Sequence, residues 1–179
     1  MKLHPTLLLP LALLLCQCNP GPGPAKGEHD DRVDLVAPPP PPHGFVVDVQ
    51  LSPAAKAQLD ALGEKVEISA WYYGLPNAAG KKVIPPDSDG QFDLGNRDVV
   101  LNPGERNTLI RGDALDESKL KYIDGEPLVL VNVYTARKVA KDNLLDCGIF
   151  EDKVTKAQAA PIPIACKLIY PDPKQNNAQ

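Results

Sequence analysis

The sequence predicts a mainly β domain, an antiparallel two-layer sandwich with one short helix after its first strand. Three observations predict it. Apolar residues recur with a period of two through much of residues 44 to 170, the signature of half-buried strands. Gly and Pro interrupt these runs at short intervals, as turns between short strands require. Only one stretch combines helical periodicity with both helix caps.

The first strand is FVVDVQLS, where Phe45, Val47, Val49 and Leu51 share one face and Asp48 and Gln50 the other. SPAAKAQLDALG then offers Ser52 as N-cap, Pro53 at the first helical position and Gly63 as the stop. Ala55, Leu59 and Leu62 form the buried stripe of that helix. KVEISAWYYG sets Val66, Ile68, Ala70 and Tyr72 against Glu67, Ser69, Trp71 and Tyr73. Turn residues follow in GLPNAAGKK and PPDSDG. Short strands are expected at QFDLG, DVVLNPGE and NTLIRG, a single helical turn in DESKLKYID, and a strand in LVLVNVYTAR with Val129, Val131 and Val133 inward.

The chain closes with NLLDCGIF and PIPIACKLI. Cys147 is in phase with Leu145 and Ile149, and Cys166 with Ile162, Ile164 and Leu168, so both point inward. A hairpin turning at Thr155 to Gln158 would set them opposite each other for a disulfide. Seven or so strands with one helix resemble an immunoglobulin- or transthyretin-like sandwich.

Ahead of this domain stands MKLHPTLLLPLALLLCQC. Lys2 and the run Leu7 to Leu15 have the charge and length of a secretory signal, and the run is short of the roughly 20 apolar residues of a membrane span. Leu13-Leu14-Leu15 before Cys16, and Leu15-Cys16-Gln17 before Cys18, each resemble a lipoprotein cleavage box and depart from it at the residue before the cut. Lipidation at Cys18 or Cys16 and ordinary cleavage after Cys18 both remain open. Parity favours Cys18, because the mature chain then keeps Cys147 and Cys166 as a pair in an oxidising compartment.

The expected organisation is therefore an export signal at 1–18, a Pro-rich disordered linker at 19–43, the sandwich at 44–170 and a disordered tail at 171–179. Eight of the twenty prolines lie between Pro20 and Pro42. Pro38 to Pro42 would form a stiff polyproline rod of roughly 15 Å, suited to holding a domain off a surface.

Composition removes several function classes. The formal charge of -4, without any Lys/Arg block, lacks the footprint of a nucleic-acid binder. His4, His29 and His43 all fall in the leader or linker, so the domain offers no histidine for triad catalysis or zinc. No cofactor motif is present. Asp87, Asp89 and Asp93 resemble a fragment of a calcium loop without its closing Glu, and Arg111-Gly112-Asp113 is a chance-level tripeptide. Trp71 and Tyr73 stand on the face opposite the core, where they would stack on a sugar, anchor a partner, or be roofed by other parts of the chain.

The whole plan is similar to that of many bacterial envelope lipoproteins, including accessory subunits of secretion machines. The resemblance implies an exported, non-enzymatic protein on the periplasmic side of the envelope, lipid-anchored or secreted. Its partner would be another envelope protein, in the role of a secretion accessory or of an immunity or inhibitor protein. A carbohydrate- or cell-wall-binding module using Trp71 and Tyr73 is the alternative, and a carboxylate-dependent hydrolase the third.

Overall fold

The structure, a computed structural model, describes residues 41–84, 90–102 and 104–171. Cys16 and Cys18 with the rest of the expected signal, residues 19–40 of the expected linker, Asp87, Asp89 and residues 172–179 lie outside them. The described chain is mainly β, with two four-stranded sheets.

The elements in order are β1 Phe45–Leu51, α1 Pro53–Leu62, β2 Val66–Pro76, β3 Phe92–Val100, β4 Asn107–Ile110, β5 Ile123–Thr135, β6 Leu145–Cys147, β7 Phe150–Lys153, α2 Val154–Ala157 and β8 Ile162–Leu168. Sheet A runs β4-β1-β8-β6 and sheet B β3-β2-β5-β7. Phe45, Val47 and Val49 of β1 and Ile162, Ile164 and Cys166 of β8 join Ile68, Ala70, Tyr72, Val129, Val131 and Val133 of sheet B in one buried cluster. Period two thus becomes an interior lined from both sheets.

The α1 helix closes one pole, which we call the upper one. Ser52 Oγ accepts the Ala55 N–H at 3.2 Å, and Gly63 ends the helix at φ 69°, a left-handed geometry suited to glycine. Its buried residues are Ala55 and Leu59. The chain enters β1 at the lower pole. There Gly44 N–H donates to Pro41 O at 2.8 Å, Tyr72 OH donates to His43 O at 3.4 Å, and His43 Nε2 sits 3.1 Å from Glu117 Oε1. His43, which the sequence places in the linker, is thereby docked on the domain.

The topology changes three further sequence expectations. The sandwich is not wholly antiparallel, because β1 and β8 pair in parallel, Val47 opposite Ile162 through Leu51 opposite Cys166. The runs QFDLG and DVV form the single strand β3. A bulge between the partners of Tyr72 and Tyr73 carries β3 past Gly95, whose φ of 137° is one that L side chains rarely adopt. No hairpin joins the cysteines either. After Cys147 the chain crosses to sheet B as β7, turns through α2, which holds Thr155, and returns to sheet A as β8.

The disulfide itself forms. Cys147 faces Cys166 across antiparallel β6 and β8. Their Cα atoms are 4.1 Å apart, the close spacing of a non-hydrogen-bonded pair. Cys166 is buried and Cys147 half-buried, while Ile149 is 65% exposed because β6 ends at Cys147 and the inward phase ends with it. Pro163 is tolerated in β8 because β6 pairs only with Cys166 to Leu168, leaving β8 a free flank at that point.

Candidate functional site: the outer face of sheet B

The alternation that buries Ile68, Ala70 and Tyr72 turns Glu67, Ser69, Trp71 and Tyr73 to the outer face of β2. On the flanking strand, Leu128 pairs with Tyr73, Leu130 with Trp71 and Tyr134 with Glu67. On β3, Asn96 pairs with Trp71 and Asp93 with Tyr73. One face of the sheet therefore carries a strip of rings and leucines, with carboxylates on both sides.

Trp71 and Tyr73 stack on each other, with ring centroids 4.7 Å apart and planes 23° from parallel. Each ring also has a polar anchor. Trp71 Nε1 donates to Asp93 Oδ1 at 2.9 Å, and Tyr73 OH donates to Glu151 Oε1. Tyr73 is only 3% exposed. Burial, with the Glu151 carboxylate beside it, pushes the phenol up to about 12. Trp71, Leu128, Leu130 and Tyr134 are half-buried. The face thus presents Trp71 as its accessible ring and keeps Tyr73 as the support beneath it.

The rim is ionic. Lys119 Nζ lies 3.4 Å from Asp93 Oδ2, and Lys153 Nζ 3.4 Å from Glu126 Oε1. Thr155 Oγ1 donates to Glu126 Oε2 at 2.7 Å, and with Lys153 this hydrogen bonding holds the Glu126 carboxyl below its ordinary value. Of the calcium-loop fragment only Asp93 is described, and it serves Trp71 and Lys119. Among the described residues no group of three or more His, Cys, Asp or Glu side chains is placed to hold a metal. Arg111-Gly112-Asp113 lies at the end of β4 and in the 3₁₀ turn Gly112–Ala114. Gly112 is buried there, with Pro42 O 2.0 Å from where a Cβ would stand, and Asp113 pairs with Arg97 at 3.7 Å.

Sequence reading singled out the two rings and missed their anchors. Asp93 lies 22 residues from Trp71 and Glu151 78 from Tyr73, and no local pattern links either pair. Glu64 was missed for the same reason: its carboxylate holds the loop after β5 from more than 70 residues away. No protein-family model, curated protein or solved structure matches this chain.

Proposed function

We propose that the chain is an exported, non-enzymatic protein of a bacterial envelope that binds another protein through the outer face of sheet B. The observation that carries this reading is the half-buried cluster of Trp71, Leu128 and Leu130 between the ion pairs of Asp93 and Glu126. A charge-poor aromatic centre with a polar border is the composition of an interface core. The Cys147–Cys166 disulfide supports an oxidising, exported environment. Among the described residues no helix is long and apolar enough to cross a membrane. The signal-like 1–18 and the cysteines at 16 and 18 support a lipid tether on the periplasmic side, with the partner's role that of a secretion machine or of a blocked hydrolase.

The strand orders support the transthyretin-like version of the sandwich. Immunoglobulin domains keep their first two strands in one sheet, whereas here β1 and β2 lie in different sheets.

The test is a photo-crosslinking residue placed at Leu130 in the native cell, compared with one at Lys56 on α1. A discrete adduct from position 130 alone, lost on Trp71→Asp in a protein that still folds, is the expected result. Equal adducts from both positions would sink the reading. Trp71 also keeps the sugar-binding alternative in play, although Tyr73 occupies one face of its ring. A shift in Trp71 emission with soluble cell-wall fragments would move the assignment to that alternative. Intact mass of the mature chain decides the tether, since a start at Cys16 or Cys18 with added acyl mass identifies a lipoprotein.

A further inference from the structure

We propose that the loop 137–141 at the upper pole is a second docking element, built to receive an acidic and partly apolar segment of another protein. It goes beyond the sheet B reading and does not depend on it. The juxtaposition that points to it is a buried carboxylate spent on holding a surface loop whose side chains are cationic.

Glu64 is 7% exposed. Its carboxylate accepts the successive N–H groups of Lys138 at 3.1 Å, Val139 at 2.7 Å and Ala140 at 2.7 Å. It also accepts the N–H of Lys65 at 2.9 Å. Consecutive amides converging on an anion form a nest, and here a side chain of the same protein fills it. Arg137 turns the backbone into the nest at φ 54°, a strained conformation for a residue with a Cβ. The far side is braced by Thr135 N–H to Asn143 Oδ1 at 2.9 Å and Leu144 N–H to Thr135 Oγ1 at 3.2 Å. The loop is held at both ends and along its backbone.

What it displays is charge around one apolar residue. Arg137, Lys138 and Lys141 are exposed, and Val139 is 59% exposed between them. Among the described residues none of the three cations is in an ion pair; Arg137 lies 5.9 Å over the Tyr134 ring. Glu64 is spent in the nest, and Asp146, which lines a shallow cleft together with Arg137, pairs with Lys167 at 3.3 Å. Asp142 follows the loop directly in the chain and is exposed. On a chain of net charge -4 this is a local positive site, complementary to carboxylates. A polyanion would need only the charges. The exposed Val139 on a backbone that does not yield selects a partner that also brings an apolar side chain. The loop stands at the end of the sandwich opposite to where residues 41–44 lead into β1.

The experiment is an amide NMR titration of the mature, disulfide-bonded chain with three probes: a short peptide alternating Glu and Leu, a Glu-only peptide, and phosphatidylglycerol vesicles. The Glu/Leu peptide is expected to shift the amides of 137–141. Its affinity should fall about tenfold in K138E/K141E and roughly threefold in Val139→Ser, with the fold of each variant read from its own spectrum. Shifts located elsewhere, or affinity indifferent to both variants, overturn the proposal. Equal binding of the Glu-only peptide would reduce the loop to a counter-ion site and overturn it too. Vesicle binding that K138E/K141E abolishes, with no peptide binding, would assign the loop to an anionic membrane surface instead.

Discussion

Glu64 shows how a single side chain outside any motif decides local order. Burial alone would raise its pKa, but the backbone bonds from Val139, Lys65, Ala140 and Lys138 outweigh that and hold it below the ordinary 4.5. The unfolded chain has the ordinary value, so its stabilising contribution is complete above pH 4.5 and is lost as pH falls through the lower folded value. Glu64→Gln is expected to cost about 2 kcal/mol near neutral pH and to flatten the acid side of the stability curve. Urea midpoints at neutral pH and about pH 3 check this; a variant with an unchanged acid slope would refute it. Tyr73→Phe should cost about 1 kcal/mol by removing the Glu151 bond, with the Trp71 stack retained in the near-ultraviolet circular dichroism. None of these partnerships was legible in the sequence, because each joins residues distant along the chain through a fold that the local pattern does not encode.

Elements were far more legible than their partners. The alternation in FVVDVQL and IPIACKL is the burial pattern of β1 and β8, and the ends of α1 coincide with Ser52 and Gly63. What periodicity cannot carry is direction and neighbour: a strand reads the same whether its partner is parallel or antiparallel. The β1–β8 pairing and the excursion of β7 into the other sheet were therefore invisible. Gly95 misled for a different reason, since a glycine reads as a turn although here it sits in a bulge inside β3. With Ala114 O 1.9 Å from its hypothetical Cβ, Gly95→Ala is expected to destabilise by about 3 kcal/mol, measured by thermal unfolding. The short strand β6, three residues long, is expected to depend on its crosslink. Reducing Cys147–Cys166, which are 19 residues apart, should remove about 3 kcal/mol and lower the Tm by roughly 10 °C; an unchanged Tm would show that β6 holds without it.

At the scale of the whole molecule, the lower pole is clamped to the incoming chain and the upper pole carries α1 and the braced loop. Gly112 is central to the clamp, because a side chain there would collide with Pro42 O. Gly112→Ala should loosen residues 41–44, and limited proteolysis read by mass spectrometry should then trim the N-terminal segment ahead of β1, here called the tail, past His43, while the unsubstituted protein is expected to be cut only before it. The parallel pairing of first and last strands has a mechanical consequence. β1 is the strand that the tail enters, and it is gripped on both sides, by four residue pairs with β4 and five with β8. A pull along the tail against an upper-pole partner acts along β1, so these pairs are loaded together in shear instead of being peeled one at a time. The strand that leads into the domain is also its anchor bolt, and single-molecule stretching between the tail and loop 137–141 should meet its main force barrier there.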